Sequence, residues 1–293
     1  MGSWQSRLMR GAISGFGLLL ERMPLAWMRQ PQTGRAAAAA RRAGVAHAVI
    51  SAGGVRAEWF LPPGVTAGPV LLYFHGGGWT LGLSEVHYRF LAALSRRLNW
   101  RLLAVDYRLA PEHPFPAGLD DCLAAYRWLR AQGQPAAQIC LGGDSAGGNF
   151  VLALLLALKT AGEALPAAGL CLSPAVDLTE PIPDDVRDPL LTRRYVTPAV
   201  DPADPLISPL RGDLAGLPPL LIQMGGIEFL RASAEAFAAK ARAAGVDVTL
   251  EVAPEMWHAW QLFGPSLPEA ETAIQSLIAF ARRRAASPLT AGG

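Results

Sequence analysis

The sequence has few cysteines, no block of one charge and no long apolar run. Its three cysteines lie far apart and are odd in number, which fits neither a disulfide framework nor a paired-cysteine zinc site. Basic and acidic residues number 26 and 24 and are spread along the chain, so we expect no nucleic acid partner. Over its 293 residues the chain is 51% hydrophobic and 17% charged, which favours a folded protein with a sizeable core.

The N-terminal region carries one short apolar stretch, at residues 11–20. It is too short to cross a bilayer, a charged pair ends it, and no small-residue cleavage site follows closely. We therefore favour an amphipathic surface helix over a signal peptide and expect no stable membrane insertion. Cys140 and Cys171 lie in short apolar runs typical of buried strands, so a reducing, cytoplasmic setting is expected.

Alternating β and α patterns follow this region. Apolar residues at helical spacing and an alanine run predict helix over residues 1 to about 45. Strand and helix patterns then alternate, which indicates an α/β fold with a mostly parallel eight-stranded sheet and helices on both faces. No helix separates the first two strands, so we expect them to form an antiparallel edge. The predicted strands are 46–51, 55–60, 70–74, 102–105, 138–141, 170–173, 220–224 and 246–252, and the later helices are 85–97, 119–130, 147–160, 232–244 and 268–284.

One stretch departs from this alternation. Residues 174–219 are rich in proline and aspartate and show little periodicity. In a compact fold, a long irregular stretch is more often a lid or a binding loop than a plain connection. We therefore predict such an element here.

The strongest motif is Gly143-Asp-Ser145-Ala-Gly147, between an apolar run and an apolar helix. Strand, Gly-x-Ser-x-Gly and helix are the pattern of a nucleophile elbow, whose strained turn lifts the serine hydroxyl above the sheet. Glycine is needed at both ends so that strand and helix can approach closely. A nucleotide-binding turn is the alternative, but neither Gly-x-Gly-x-x-Gly nor Gly-Lys-Ser/Thr is present.

Three consecutive glycines, Gly76, Gly77 and Gly78, follow the third predicted strand. Their backbone N–H groups are unshielded and can point at a developing oxyanion. Lipases and esterases of this type carry their oxyanion motif at the same place in the strand order. The neighbouring His75 ends the strand and is predicted to be structural rather than a catalytic base, and Trp79 is predicted to line the pocket.

A serine nucleophile needs a neutral imidazole and a carboxylate behind it. Ser145 is followed by a single histidine, His258, just past the last predicted strand. The acid should lie between them at a strand end, and Glu228 is the carboxylate just past the preceding strand. We therefore predict the triad Ser145, Glu228 and His258. Three other downstream residues carry a carboxylate but do not lie just past that strand: Asp201, Asp204 and Asp247.

Two further assignments rest on nearness to these segments. Asp144 is predicted to tether the elbow rather than to serve as the acid. Four bulky side chains are predicted to form pocket walls because each neighbours a catalytic segment: Trp79, Leu206, Trp257 and Trp260.

Three motifs, in this order and spacing, resemble those of the bacterial hormone-sensitive-lipase-like esterases. They are His75-Gly-Gly-Gly-Trp79, Asp106-Tyr-Arg-Leu-Ala-Pro-Glu112 and Gly143-Asp-Ser-Ala-Gly-Gly148, and the likeness runs from about residue 45 to about residue 285. The resemblance implies an α/β-hydrolase fold topped by a helical cap. The cap would comprise the N-terminal helices, residues 1–45, and an insertion at about 178–208 in the catalytic domain, residues 46–293.

The resemblance also implies roles for single residues. The N–H groups of Gly77, Gly78 and Ala146 would form the oxyanion hole, and Arg108 and Glu112 would form an ion pair. Most members of the family carry aspartate where this chain has glutamate as the acid, although a subset uses glutamate there.

The residues and the resemblance together predict a serine carboxylesterase. It would hydrolyse short- to medium-chain esters through an acyl-enzyme, with a small-molecule ester as its partner and no metal or organic cofactor. Alternatives are a lactone or acetyl-ester hydrolase with the same triad, and a non-catalytic small-molecule-binding relative, which would lack the histidine. A peptidase would need a larger gate. The N-terminal helices could instead provide a homodimer contact or a membrane-surface contact.

Overall fold

The computed structural model describes residues 34–179 and 194–285, together with Ser3, Gln5, Ser6, Leu25 and Arg29. Most of the helix predicted over residues 1–45 therefore lies outside the described residues. The same holds for residues 180–193 of the predicted insertion at about 178–208.

Strands and helices alternate along the described ranges, as predicted. The strands are β1 Ala46–Ala52, β2 Val55–Leu61, β3 Val70–Phe74, β4 Arg101–Val105, β5 Ile139–Asp144, β6 Ala168–Leu172, β7 Leu220–Gly225 and β8 Val248–Ala253. The α-helices are α1 Arg35–Ala43, α2 Glu85–Leu98, α3 Ala117–Ala131, α4 Ala146–Thr160, α5 Arg231–Ala243 and α6 Pro268–Arg284. Short 3₁₀ segments lie at Ala136–Gln138, Pro209–Arg211 and Trp260–Ser266.

The strands form one eight-stranded sheet in the order β1-β2-β4-β3-β5-β6-β7-β8. β2 pairs antiparallel with both β1 and β4, and every other neighbouring pair is parallel. The predicted antiparallel edge and the mostly parallel sheet are therefore confirmed. Parallel strands bring their carboxyl ends to the same edge, so the loops after β3, β5, β6, β7 and β8 meet there.

Two helical layers cover the sheet. α1, α2 and α6 pack on one face, and α3, α4 and α5 pack on the other. β3 shows the alternation that makes this possible, because Leu71 and Tyr73 face the first layer while Leu72 and Phe74 face the second. α4 is buried along most of its length, as expected for a helix that is apolar on every side. Among the described residues, no helix is long and apolar enough to cross a membrane.

The ion pair that the resemblance implied between Arg108 and Glu112 is wrong. Arg108 Nη2 lies 2.8 Å from Asp121 Oδ1, because α3 brings its first turns against the loop after β4. Glu112 Oε2 instead pairs with Arg29 Nη1 at 2.7 Å. Both partners come from other segments of the chain, which the local sequence pattern does not reveal.

Candidate active site

Ser145 lies on the sharp turn between β5 and α4. Its backbone has φ 53° and ψ −116°, a conformation that residues with a side chain rarely adopt. The turn is held because Ser145 N–H donates to Leu172 O of the neighbouring β6 at 2.8 Å. The side chain is half-buried at the carboxyl edge of the sheet.

The two glycines that flank this turn are required by close contacts. A Cβ at Gly147 would lie 2.0 Å from Phe74 O, and a Cβ at Gly143 would lie 2.4 Å from Gly147 O. Real atoms do not approach so closely. The tight contact between strand and helix predicted from the motif is therefore present.

The three side chains predicted as a triad lie in one hydrogen-bonded chain. His258 Nε2 lies 2.8 Å from Ser145 Oγ, and His258 Nδ1 lies 2.7 Å from Glu228 Oε2. Glu228 is supplied by the loop after β7 and is buried, while His258 comes from the loop after β8 and is half-buried. With its proton on Nδ1, the neutral imidazole donates to the carboxylate and leaves Nε2 free to accept from the serine hydroxyl.

The electrostatics of His258 suit a base that must gain a proton during the reaction. Burial on its own lowers the pKa of His258, but the hydrogen bond and the negative charge of Glu228 outweigh it. The charge of Asp144 adds to this effect, and the pKa is raised above its ordinary value. The imidazolium is therefore stabilised at the place where it would form.

The glycine loop after β3 holds Gly77 and Gly78, whose N–H groups are predicted to be oxyanion donors. Gly77 and Gly78 have φ 121° and 57°, in the region that favours glycine, and a Cβ at Gly77 would lie 2.6 Å from Leu81 O. Within the described ranges, no hydrogen bond uses the N–H of either glycine. Ala146 is the first residue of α4, so its N–H has no acceptor inside the helix.

Asp144 joins the elbow to this glycine loop. Its Oδ1 accepts from Tyr73 OH at 2.8 Å and from Gly76 N–H at 3.0 Å, and its Oδ2 lies 3.3 Å from His87 Nε2. Burial raises the pKa of Asp144, but the charge and hydrogen bond of His87 and the hydrogen bond of Tyr73 outweigh burial and lower it. A Cβ at Gly76 would lie 2.2 Å from Asp144 Oδ2, so only glycine fits there. Asp144 thus occupies the tethering position predicted for it.

His75 is fully buried beside this network. Its ring stacks on Tyr107 with centroids 4.2 Å apart, and Tyr107 OH donates to the carbonyl oxygen of His75 at 2.7 Å. Burial lowers the pKa of His75 to about 4, which keeps the ring neutral near pH 7. These contacts suit a structural residue that fixes the start of the glycine loop.

Two residues of the site carry no signal that sequence reasoning used. His87 contacts Asp144 from the third position of α2, where it also accepts from Ser84 N–H at 3.2 Å. Ser173, directly after β6, donates to Glu228 Oε1 at 2.8 Å. Both come from segments distant in sequence from the groups they contact. The only hint for Ser173 is its place at the end of a strand next to the elbow strand.

The four predicted pocket walls occupy different environments. Trp79 is buried and stacks on Tyr195, with ring centroids 4.5 Å apart. Trp257 is half-buried against Phe263, whereas Trp260 is buried in a small apolar cluster that Trp257 also packs against. A fourth side chain packs, half-buried, against the main core: Leu206. Their assignment to the pocket stays a prediction.

Comparison with known proteins gives relatives over most of the chain. A family model described as the alpha/beta hydrolase fold matches residues 71–262. A protein named acetyl-hydrolase from Streptomyces hygroscopicus is 42% identical over 246 residues, which cover 80% of this chain and 82% of that protein. An esterase from Acinetobacter venetianus is 36% identical over 244 residues, covering 79% of this chain and 80% of that protein.

Solved structures agree with this result. An esterase from the bacterial hormone-sensitive lipase family superposes with a TM-score of 0.83 at 39% identity, covering 97% of this chain and 99% of that one. An esterase/lipase from an uncultured bacterium gives a TM-score of 0.80 at 36% identity, covering 94% and 99%. The predicted fold and family are thereby confirmed. The chain belongs to the bacterial hormone-sensitive-lipase-like esterases of the α/β-hydrolase fold and is a carboxylic ester hydrolase.

Proposed function

We propose that this chain hydrolyses short- to medium-chain carboxylic esters through an acyl-enzyme. In this proposal Ser145 is the nucleophile, His258 the general base and Glu228 the acid. The observation that carries it is the continuous hydrogen-bonded chain from Glu228 through His258 to Ser145, with distances of 2.7 and 2.8 Å. A serine hydroxyl is a weak nucleophile until such a base accepts its proton.

In the first half of the reaction, Ser145 Oγ attacks the carbonyl carbon of the ester. Its proton passes to His258 Nε2, and the charge of Glu228 stabilises the imidazolium. The carbonyl oxygen becomes an anion, which the N–H groups of Gly77, Gly78 and Ala146 would bind. Removing one such donor typically costs about a hundred- to a thousandfold in rate.

In the second half, the tetrahedral intermediate collapses. The bond to the alcohol breaks, His258 returns its proton to the leaving oxygen, and the acyl group stays on Ser145. Water then attacks the acyl carbon and gives a proton to His258. The bond from that carbon to Ser145 Oγ breaks, His258 returns the proton to Ser145, and the carboxylic acid leaves. The chain's own residues supply every proton transfer in this scheme.

The names of relatives favour the short end of the acyl range. The Streptomyces hygroscopicus relative is named acetyl-hydrolase, which supports an acetyl-ester hydrolase as a second candidate. Both candidates use the same triad, and they differ only in how much room the pocket leaves for the acyl chain.

We keep the predicted cap, residues 1–45 with about 178–208, as part of the proposal. Described residues at both segments support it. Arg29 Nε donates to Thr80 O at 2.5 Å, next to the glycine loop, and Tyr195 stacks on Trp79. α1, the last part of the first predicted cap segment, packs on α2 in one of the two helical layers that cover the sheet.

The setting and assembly of the protein also stay proposals. The three cysteines are free and buried, which supports a reducing, cytoplasmic setting. A homodimer is proposed only from the apolar pattern of the helices predicted in the N-terminal sequence.

A panel of p-nitrophenyl esters from acetate to dodecanoate, with lactones alongside, tests the proposal. We expect kcat/KM to be highest for acyl chains of two to about eight carbons and to fall beyond. The Ser145→Ala variant, run beside it, should lose activity on all of them by roughly 10⁴-fold or more. Turnover of the esters by this variant at a rate near that of the wild-type enzyme, or a preference for lactones, would contradict the proposal.

A further inference from the structure

Ser173 lies at the carboxyl end of β6, between the acid and the base of the proposed triad. Its hydroxyl donates to Glu228 Oε1 at 2.8 Å, and its oxygen accepts from Ala259 N–H at 3.1 Å. Ala259 directly follows His258. Because Ser173 Oγ accepts the hydrogen bond from Ala259 N–H, its own proton points towards the carboxylate. Ser173 is therefore oriented as a hydrogen-bond donor to Glu228.

Three donors from the described part of the chain reach the carboxylate of Glu228. Oε2 faces His258 Nδ1, while Oε1 accepts from Ser173 and from the N–H of Gly225. Glutamate has one more rotatable bond than aspartate, so more contacts are needed to hold its carboxylate in one orientation. Gly225 belongs to the same strand end as Glu228. Ser173 therefore ties Oε1 to a different strand, the one beside the elbow strand.

The backbone at Ser173 does not explain why a serine stands there. Its φ is 48°, in the left-handed region that favours glycine, and its side chain is fully buried. Its N–H donates to Gln223 O of β7 at 2.7 Å, a bond that any residue but proline would make. A glycine would suit this position with less strain, so the hydroxyl itself accounts for the serine.

We propose that Ser173 is a positioning residue of the active site. Its hydroxyl fixes the side-chain conformation of Glu228, so that Oε2 stays on His258 Nδ1 and Nε2 stays on Ser145. This inference rests on the proposed triad and adds a fourth member that contacts neither substrate nor the reacting atoms.

The first test compares Ser173→Gly and Ser173→Ala with the wild-type enzyme. Glycine removes the hydroxyl and suits the positive φ, and alanine removes the hydroxyl alone. We expect both to lower kcat for p-nitrophenyl butyrate by roughly tenfold, the usual worth of one hydrogen bond to a charged group, and to leave KM within about twofold. The acidic limb of the kcat/KM profile should move to lower pH, because a loosely held carboxylate raises the pKa of His258 less.

A second test repeats Ser173→Gly in a Glu228→Gln background. If Ser173 acts through the carboxylate, the added loss should be less than about threefold. The same loss in both backgrounds, or an unchanged pH profile of a folded Ser173→Gly variant, would overturn the inference. Thermal melting of each variant checks that it is folded, and the glycine variant stays informative if the alanine variant is unstable.

These outcomes separate the inference from the function beneath it. Activity that survives Ser145→Ala would remove the proposed triad itself. If Ser145→Ala is inactive and Glu228→Gln is strongly impaired while Ser173→Gly keeps wild-type kinetics, the triad stands. Only the role of Ser173 is then rejected.

Discussion

Ser84 and Ser145 each lie 2.8 Å from a histidine that in turn contacts a buried carboxylate. The two groups meet at the elbow, because the carboxylate of the first belongs to Asp144, the residue before Ser145. We call the first the structural set and the second the proposed triad. The structural set is Ser84, His87 and Asp144, and the proposed triad is Ser145, His258 and Glu228.

The two sets differ in what surrounds the serine. Ser84 is the residue before α2, with an ordinary extended φ of −110°, and its N–H donates to the same nitrogen of His87 that faces its hydroxyl. Ser145 stands on a strained turn with φ 53°, directly before α4. A serine, a histidine and a carboxylate in contact do not make a nucleophile. In the proposed triad the serine also stands on a strained turn, where backbone N–H groups are predicted to bind the oxyanion.

The largest expected effect separates the two serines. Ser145→Ala should lower kcat for p-nitrophenyl butyrate by roughly 10⁴-fold or more, because it removes the hydroxyl that lies 2.8 Å from His258 Nε2. Ser84→Ala is the matched control and should leave kcat within about twofold. A comparable loss in both variants would contradict the distinction between the sets.

The two carboxylates come next. Glu228→Gln should cost roughly 10³- to 10⁴-fold in kcat, because the neutral side chain no longer stabilises the imidazolium or orients its proton. Asp144→Asn should cost about tenfold, since it loosens the glycine loop and leaves the proton transfers intact. Steady-state kinetics on the same ester measure both. If Asp144→Asn lowers kcat more than Glu228→Gln does, then Asp144 is the acid and the assignment of Glu228 is wrong.

The histidines are distinguished by pH. His258 must be neutral to accept a proton, so kcat/KM should fall as pH drops through its raised pKa, with a midpoint above the ordinary histidine value. Glu228→Gln should move that midpoint to lower pH, because the charge and the hydrogen bond that raise the pKa are gone. His87→Gln should leave it in place. If the midpoint moves in the His87→Gln variant and stays in place in Glu228→Gln, the assignment of His258 as the base is refuted.

The smallest expected effect is on stability, and its sign differs between the sets. Ser145→Gly should raise the free energy of unfolding by about 1 kcal/mol, because glycine relieves the strained φ while abolishing activity. Ser84→Ala should lower it by about 1 kcal/mol through loss of the helix cap. Chemical denaturation of both variants measures the difference, and a destabilised Ser145→Gly would argue against strain at the elbow.

Local pattern was enough to predict most of the fold. β3 and α6 begin and end at the predicted residues, because their apolar runs have clear boundaries. β5 runs on to Asp144 rather than ending at Leu141, since its pairing with β6 continues through two glycines that strand propensity disfavours. The motif spacing also placed the three triad candidates at strand ends that parallel pairing then brings together.

What could not be predicted are partners from distant segments. The contact of Asp121 with Arg108 depends on how α3 packs, and the contact of Ser173 with Glu228 depends on the spacing of two neighbouring strands. Neither residue type nor local spacing singles out these pairs. They become visible only when the strands are side by side.

The burial of α4 has a consequence for how the enzyme loses activity. Ser145, the proposed nucleophile, directly precedes α4, a helix that is buried along most of its length. Amide hydrogens of this helix should exchange with solvent only through global unfolding, so fraying elsewhere leaves the serine in place. Loss of activity on heating should then coincide with melting of the whole domain, rather than precede it.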